Sequence, residues 1–519
     1  MTWEPELAEL AHRKELAARL GGAERVARLR ASGRRTVRER LDDLLDDGSF
    51  AEVGSVAGTA SYSDDGELAS FVPASIVAGS GRVDGRRVVV TGDDFTVKGG
   101  AANLQLVAKQ VDVERRALAE RVPVVRLLDG TGGGGTVESL EEFGRTYVPF
   151  NPGWDAMVEL LSSVPVVTAA LGPVAGLGAV RLVTSHVSVM VRELSQVFVA
   201  GPAVVEAGMG ESLDKEELGG WRVAARAGTV DLVADSEDEA LGLVRQVLSY
   251  LPANAWQLPP VVPCDDPEGR REESLRSLVP RSRRSPYDVR ALMRSVFDEG
   301  SVLELGRLHA GGTVTALARL GGRPVAVLAG DPTVYGGGMT AAGADKQARL
   351  VDLADTFRLP VVHLVDQPGF VIGSASEAAA VVRHGARALS AVEQTRVPWA
   401  SVLVRRCFGV AGAGHRPLGR WSYRVAWPSG DWGSLPIEGG LEVAFKRLLE
   451  SSPDAAALKE EIAGRLEAVR SPFRTAESYL VEEVVDPADT RPLLCAWAAA
   501  AYDVLPTLPA GPVGRGLRP

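Results

Sequence analysis

Residues 82–92 read RVDGRRVVVTG, and residues 319–330, which begin 237 positions later, read RLGGRPVAVLAG. Downstream, VPVVRLLD ends at Asp129 and LPVVHLVD ends at Asp366, with the same separation. Matching segments in the same order and at one spacing are typical of an internal repeat. The sequence therefore predicts one folding unit that occurs twice.

Two further pairs of segments extend the duplication. DDFTVKGG at 93–100 corresponds to DPTVYGG at 331–337, again with an offset of 237 positions. VPVVTAALGPVAGLG begins at Val164 and corresponds to VPWASVLVRRCFGVA, which begins at Val397, with an offset of 233. The offsets of 237 and 233 positions differ by only four residues, so these segments belong to the same repeat. The repeat therefore covers the centre of each half.

The length of the chain also favours two domains. Its 519 residues exceed the roughly 250–300 at which a single hydrophobic core stops growing. The segment Leu251–Ser285 is rich in proline and charge, which suits a connection between domains. We therefore expect one domain over 1–255 and another over 256–519.

Each unit alternates strand-like and helix-like patterns. The β-branched runs Val88–Thr91, Val122–Leu128 and Val164–Leu171 predict buried strands, and Ala101–Arg121 predicts a helix between the first two. The second unit repeats the pattern with a helix over Lys346–Arg358. Strand, helix and strand at this spacing indicate βαβ crossovers. The predicted fold is α/β, with mainly parallel sheets covered by helices.

Composition excludes several classes of function. The net charge of −10 would repel the phosphates of nucleic acid, so we expect no such partner. No stretch approaches the ~20 apolar residues of a membrane span, and the first residues lack the apolar core of a signal peptide. We therefore expect no membrane association and a cytoplasmic protein. The three cysteines are far apart and support neither a disulfide framework nor a zinc site, so no metal is expected.

Glycine clusters follow the predicted strands in both units. DGTGGGG at 129–135 and DQPG at 366–369 follow the second strand, whereas Gly176–Ala179 and Gly409–Gly412 follow the third. A loop that ends a strand and begins a helix leaves backbone N–H groups free. Two such donors that converge on one oxygen form an oxyanion hole, worth about 3–4 kcal/mol per donor in catalysis. A purely structural role in tight turns remains the alternative.

Other site chemistries lack their motifs. DGTGGGGT does not end in the G-K-[ST] of a phosphate loop, and no complete G-x-G-x-x-G follows the first strand. A G-x-S-x-G elbow and an H-E-x-x-H motif are absent, and the six histidines have no ligand spacing. A site of backbone donors needs few special side chains, which fits this inventory.

The chain resembles the carboxyltransferase (β) subunits of acyl-CoA carboxylases over roughly residues 10–500. The fold that the resemblance implies is two tandem crotonase (ClpP/crotonase)-like domains, each a ββα-superhelix. The segments that carry the resemblance are GDDFTVKGGA (92–101), LGPVAGLGA (171–179), FVAGPAVV (198–205), EELGG (216–220), YDVRALMRSVFDEGS (287–301), DQPGFVIGSASE (366–377), RHGARAL (383–389) and RSPFRTAESYLVEEVVDPADTRPLL (470–494).

The resemblance implies a reaction with two oxyanions. An acyl-CoA lies in the first domain, and N-carboxybiotin lies in the second domain of a neighbouring subunit. Carboxybiotin releases CO2, its ureido nitrogen takes the α-proton, and the thioester enolate attacks the CO2. By analogy, the thioester oxygen is held by Gly176, Leu177 and Gly178, and the biotin oxygen by Val410 and Ala411, with Gly409 beside them.

The resemblance also implies ligands and partners. Biotin is carried on a separate biotin carboxylase/biotin carrier α subunit, because no A-M-K-M attachment segment occurs. A site shared between subunits implies a homohexamer. The substrate is a short acyl-CoA such as propionyl-CoA, and its expected contacts are Gly132, Gly133, Gly134, Gly369, Phe370 and Ala413.

Several positions depart from the family pattern. The family's Y-G-G-A-Y-D stands here as FGVAGA at 408–413, so Val410 replaces a glycine and Ala413 replaces an aspartate that shapes the acyl pocket. The arginine of G-G-A-R-I-Q-E-G is missing from 130–140, and Ala224 stands where a histidine follows E-L-G-G. These changes indicate altered substrate choice or altered chemistry.

Three hypotheses remain open from the sequence. The first is a biotin-dependent carboxyltransferase of an acyl-CoA carboxylase. The second is a biotin-independent decarboxylase of malonyl- or methylmalonyl-type acyl-CoA, because decarboxylation passes through the same enolate. The third is a non-catalytic partner of an active β-type chain.

Overall fold

The chain folds into two compact units in a computed structural model, which describes residues 2–101, 107–131, 141, 144–146, 148 and 150–512. The first unit runs to Gln257 and includes Gly511, whose N–H donates to the Ala255 carbonyl at 3.1 Å. The second unit runs from Leu258 to Ala510. The helices found in the described residues are too short or too polar to cross a membrane.

Parallel strands form the centre of the first unit. Its strands are β1 (Ala51–Glu52), β2 (Gly58–Tyr62), β3 (Leu68–Pro73), β4 (Ile76–Val83), β5 (Arg86–Asp93), β6 (Val124–Gly130), β7 (Val166–Ala175), β8 (Val187–Val191), β9 (Gln196–Phe198) and β10 (Leu232–Ala234). Within the described residues the sheet order is β1-β4-β5-β6-β7-β8-β10, and β9 also pairs with β7. Strands from β5 to β10 pair in parallel, whereas β1, β4 and β5 pair antiparallel. The β2–β3 hairpin forms a separate sheet.

Helices connect these strands. They are α1 (Glu4–Ala18), α2 (Ala23–Ala31), α3 (Val37–Leu44), α4 (Val107–Glu120), α5 (Trp154–Ser163), α6 (Leu177–Val183), α7 (Pro202–Met209), α8 (Lys215–Gly219), α9 (Trp221–Ala227) and α10 (Glu237–Tyr250), with a single 3-10 turn at Lys98–Gly100. All residues of β6 are buried, as expected for a parallel strand that is covered on both faces.

The second unit repeats this sheet. Its strands are β11 (Leu303–Leu305), β12 (Thr313–Leu320), β13 (Arg323–Gly330), β14 (Val361–Gln367), β15 (Trp399–Phe408), β16 (Ser422–Ala426), β17 (Asp431–Gly433) and β18 (Glu483–Val484). The order is β11-β12-β13-β14-β15-β16-β18, with β17 paired to β15. The predicted α/β fold with a duplicated, mainly parallel sheet is confirmed.

The helices of the second unit complete the description. They are α11 (Leu275–Leu278), α12 (Val289–Val296), α13 (Ala341–Phe357), α14 (Ser374–Ala378), α15 (Val381–Gln394), α16 (Gly409–Ala413), α17 (Ile437–Ala444), α18 (Lys446–Ser451), α19 (Ala455–Val469), α20 (Pro472–Glu477) and α21 (Thr490–Val504), with single 3-10 turns at Tyr335–Gly337, Pro487–Asp489 and Leu505–Thr507.

The duplication extends to individual side-chain hydrogen bonds. Thr168 on β7 donates its hydroxyl to the Leu182 carbonyl at 2.8 Å, and Ser401 on β15 donates to the His415 carbonyl at 2.7 Å. Thr168 and Ser401 are 233 positions apart, and so are Leu182 and His415, which is the offset that the sequence predicts for the third strands. The repeat therefore preserves the packing of α6 and α16 on their strands as well as the topology.

Several predicted boundaries differ from the observed ones. Strands β6 and β7 begin just after Pro123 and Pro165, because proline has no N–H to donate to a sheet. Strand β7 also continues to Ala175, beyond the predicted end, since Gly172 lets the chain pass the Asp129 carboxyl group. Helix α13 begins five residues before its predicted start, where the Thr340 hydroxyl accepts from the Gly343 N–H at 3.0 Å.

Candidate functional site

A glycine with a positive φ directly follows the third central strand of each unit. Gly176 has φ +56° and ψ −123° and precedes α6, and Gly409 has φ +60° and begins α16. A side chain at Gly176 would find open space, since its Cβ would come no closer than 3.9 Å to other atoms. Glycine is therefore required at position 176 by the backbone conformation, which only glycine adopts readily, and not by a lack of space. We call Gly176–Ala179 the first corner and Gly409–Gly412 the second corner.

Two of the three predicted amide donors at the first corner are already engaged. The Gly176 N–H donates to the Val199 carbonyl at 3.1 Å, and the Gly178 N–H donates to the Thr131 carbonyl at 2.9 Å. The Leu177 N–H has no hydrogen-bond partner among the described residues. It belongs to the first turn of α6, where the helix itself supplies no acceptor. Only Leu177 among the three predicted donors is thus available to a ligand oxygen.

The second corner leaves its predicted amides unpaired. Gly409, Val410 and Ala411 form the first turn of α16, and within the described part of the chain no acceptor contacts their N–H groups. The Val410 side chain is 63% exposed, whereas Ala411 is buried. Ala413, the predicted pocket residue, lies exposed at the end of the same helix. The structure therefore places Val410, and not Ala411, at the surface of this corner.

Two other predicted substrate contacts, Gly369 and Phe370, already make contacts within the protein. The Gly369 N–H donates to the Gln367 side-chain oxygen at 3.0 Å, and its carbonyl accepts from the Met339 N–H at 3.0 Å. The Phe370 ring packs against Gly385 of α15 and against the small buried cluster that includes Ala411. Phe370 supports the second corner from the protein side. Gly132, Gly133 and Gly134 lie outside the described residues, so their role remains a prediction.

Buried arginines hold the far end of α6. Arg126 on β6 donates to the Thr184 carbonyl at 2.8 Å and to the Arg181 carbonyl at 3.1 Å, and it forms an ion pair with Glu114 at 2.8 Å. Arg181 on α6 forms an ion pair with Asp93 at 3.1 Å. Sequence reasoning missed these residues. Charges within otherwise β-branched runs, such as the arginine of VPVVRLLD, were the available signal.

A neutral network holds the end of α16. The Gly412 carbonyl accepts from His415 Nδ1 at 2.8 Å and from the Cys407 thiol at 3.3 Å, and the His415 carbonyl accepts from His363 Nδ1 at 3.1 Å. Burial lowers the pKa of both His363 and His415 to about 4 and raises the pKa of the Cys407 thiol to about 12. All three groups are therefore uncharged near pH 7 and support the helix without acting as acids or bases.

Carboxylates at the strand ends are engaged in ion pairs. Asp366 on β14 accepts from Arg406 at 2.7 Å and from Arg405 at 2.9 Å. Burial opposes its ionisation, but the hydrogen bonds and charges of the two arginines outweigh burial and hold its pKa below the ordinary value. Asp129, the equivalent residue on β6, accepts from Arg34 and Arg40, each at 2.9 Å. Neither carboxylate is free to act as a base.

Known proteins are similar to this chain over nearly its whole length. A family profile described as the carboxyl transferase domain matches residues 28–510. The propionyl-CoA carboxylase carboxyltransferase subunit of Haloferax mediterranei is 32% identical over 503 residues, which cover 96% of each chain. The methylmalonyl-CoA decarboxylase subunit alpha of Veillonella parvula is 30% identical over 492 residues, which cover 94% of each chain.

Solved structures agree with these relatives. The transcarboxylase 12S structure, solved with methylmalonyl-CoA bound and described as a hexamer assembly, has a TM-score of 0.86 and 30% identity and covers 99% of this chain and 98% of that chain. The likeness confirms the predicted crotonase-like fold of the two units. The chain therefore belongs to the carboxyl transferase domain family, the family of the acyl-CoA carboxyltransferases.

Proposed function

We propose that the chain is the carboxyltransferase subunit of a biotin-dependent acyl-CoA carboxylase, which moves CO2 from carboxybiotin to the α-carbon of a short acyl-CoA. The observation that carries the proposal is the pair of equivalent corners. Each has a backbone N–H with no acceptor among the described residues, that of Leu177 in the first unit and that of Val410 in the second. The reaction creates two negative oxygens, and the chain offers one anion-binding corner for each.

The first domain, 1–255, holds the acyl-CoA in this proposal. The Leu177 N–H donates to the thioester oxygen as negative charge develops on it when the α-proton leaves. A backbone donor of this kind is worth about 3–4 kcal/mol in the transition state, because it is already oriented before the charge appears. Gly132, Gly133 and Gly134 remain the proposed further contacts of the substrate.

The second domain, 256–519, takes the biotin that a separate α subunit carries. The second corner fits an acceptor oxygen, since the N–H groups of Gly409, Val410 and Ala411 have no acceptor among the described residues. When bound, the carboxylated carrier group would supply the CO2 and the nitrogen that accepts the α-proton. The side chains of Val410 and Ala413 are both exposed at this corner, where the family pattern has a glycine and an aspartate.

A homohexamer completes the proposed site. Exposed apolar side chains occur on segments near the second corner, including Ile372 with 88% exposure and Tyr335 with 74%. Such residues in water favour association with another protein surface. The 12S structure, which is described as a hexamer, covers nearly the whole of this chain. We therefore propose a cytoplasmic homohexamer in which the first domain of one subunit meets the second domain of its neighbour.

One observation favours a second candidate, a biotin-independent decarboxylase. Val410, whose side chain is 63% exposed, adds bulk at the second corner where the family pattern has glycine, and one relative carries the name methylmalonyl-CoA decarboxylase subunit alpha. Removal of CO2 from a malonyl-type thioester leaves the same enolate at Leu177. Under this candidate, the second corner has no carrier to bind.

A single set of incubations separates the candidates. The purified chain is mixed with propionyl-CoA, ATP, labelled bicarbonate and a biotin carboxylase with its carrier, and in parallel with methylmalonyl-CoA or malonyl-CoA alone. Incorporation of label into the acyl-CoA only when the carrier is present supports carboxyl transfer. CO2 released from the malonyl-type esters alone supports the decarboxylase. Neither activity, together with co-purification of a second β-type chain, would identify a non-catalytic partner and refute the proposal.

A further inference from the structure

A buried ion pair joins α6, the helix that begins in the first corner, to strand β5. Arg181 on α6 is 1% exposed, and its Nη1 lies 3.1 Å from the Asp93 carboxylate at the end of β5. Its Nη2 lies 3.5 Å from the Thr91 hydroxyl, and its buried Nε has no hydrogen-bond partner in the part of the chain that the structure describes. The guanidinium is therefore held mainly by one carboxylate in an interior site.

The second unit lacks this ion pair. By the offsets of 237 and 233 positions, Asp93 and Arg181 correspond to Gly330 and Gly414. The same fold thus forms without either charge. A buried ion pair costs desolvation free energy and can often be replaced by uncharged residues without loss of stability. The pair in the first unit therefore calls for a reason other than folding.

The position of Arg181 supplies that reason. Arg181 follows Leu177 by four residues, so both side chains lie on the same face of α6. Four residues rise about 6 Å along a helix. Helical side chains lean toward the N-terminus, which brings the guanidinium back toward the Leu177 end.

The ion pair also closes a ring of contacts around the corner. The second Asp93 oxygen accepts from the Asp129 N–H at 3.4 Å, at the end of β6. Two residues later the Thr131 carbonyl accepts from the Gly178 N–H, which returns to α6. Helix α6 is thus joined to β5 by Arg181 and to the end of β6 by Gly178. A helix held at both places cannot tilt without breaking one of these contacts.

We infer that Arg181 and Asp93 are positioning residues that keep the Leu177 N–H directed at the thioester oxygen of a CoA-linked enolate. The inference rests on the proposed function of the first corner. Oxyanion donors accelerate a reaction because they are oriented in advance. A misplacement of about 1 Å can cost about 100-fold in rate. The ion pair supplies the required stiffness, and its cost in stability is consistent with a role in the reaction.

The test removes the pair while it preserves the fold. The single variants R181M and D93N each leave one buried charge without a partner and should lower stability. The double variant D93N/R181M removes both charges and should recover most of that loss. In the double variant, kcat should fall at least about 10-fold with little change in KM, because the affected contact strengthens only in the transition state.

Two CoA ligands give a readout that a merely structural role would not move. S-ethyl-CoA is uncharged at the reacting end. The nitronate form of a desulfo-CoA analogue that ends in CH2–NO2, where an acyl-CoA has S–CO–CH3, instead carries a negative oxygen at the position of the enolate oxygen. D93N/R181M should bind the nitronate about 10-fold more weakly and S-ethyl-CoA with nearly unchanged affinity, as expected when a transition-state contact is lost. R181K, which keeps the charge, should recover part of the preference.

The matched control is a buried ion pair in the second unit, beside the turn that joins β12 and β13. Arg491 and Asp298 lie 2.9 Å apart, and Asp298 accepts from the N–H groups of the Gly321–Gly322 turn before β13. D298N/R491M should leave the nitronate preference unchanged. A folded D93N/R181M with the wild-type preference would overturn the inference and leave the proposed function intact. If the wild-type chain binds neither CoA ligand, the proposed function and the inference are both overturned.

Discussion

Leu177 occupies the first position of α6, where a helix accepts proline because that N–H has no partner within the helix. The variant L177P would therefore delete this N–H group without breaking a helical hydrogen bond, and it would also remove the half-buried leucine side chain. Because this N–H is the free donor at the first corner, its loss should lower kcat for carboxyl transfer or decarboxylation by about 100- to 1,000-fold, or about 3–4 kcal/mol. The thermal midpoint should fall by about as much as it does in L177A, because both variants lose the leucine side chain.

The matched variant is L177A, which keeps the N–H and removes the half-buried side chain. It should retain the rate within a few-fold while it loses some stability, so the two variants separate the amide from the side chain. The assay is steady-state turnover of the acyl-CoA, with thermal unfolding measured on the same preparations. A folded L177P with turnover within threefold of wild type would refute the assignment of the Leu177 N–H as an oxyanion donor.

Three further outcomes are expected. V410P, which deletes the corresponding N–H on α16, should lower carrier-dependent transfer by about 100-fold and leave S-ethyl-CoA binding unchanged, as measured by turnover and calorimetry. Burial lowers the pKa of His363 from 6.5 to about 4, so the free energy of unfolding in urea should fall as the pH drops from 6.5 towards 4. The unfolding free energy of H363N should fall less steeply over the same pH range. An equal dependence on pH in the two proteins would contradict this expectation. D366N should cost about 3–5 kcal/mol of unfolding free energy, because Arg405 and Arg406 lose their shared carboxylate; a urea midpoint like that of wild type would argue against it.

The duplicated α/β fold could be predicted because its signals are local. The proline before a central strand is visible in VPVVRLLD and LPVVHLVD, and the observed strands β6 and β14 begin directly after Pro123 and Pro360. The positions of Gly176 and Gly409 were predictable for the same reason. Backbone conformation at a turn depends mainly on the residue itself.

The identity of the free donor at the first corner could not be predicted in this way. Gly176 donates to Val199 and Gly178 donates to Thr131, so each amide is occupied by a carbonyl far away in sequence. Three consecutive amides that look equivalent in LGPVAGLGA therefore differ in availability. The side-chain supports of the corners, such as Arg181 with Asp93, depend on the same kind of distant contact.

The sequence by itself thus determined the repeat, the order of strands and helices, the family and the two glycine corners. Only the tertiary structure decided that the N–H groups of Leu177 and Val410 have no acceptor among the described residues, that Phe370 packs against Gly385, and that the Arg181–Asp93 ion pair supports α6. The physical reason is that a strand or a turn is specified by neighbouring residues, whereas the availability of a hydrogen-bond donor depends on which distant atoms the folded chain brings within about 3 Å of it.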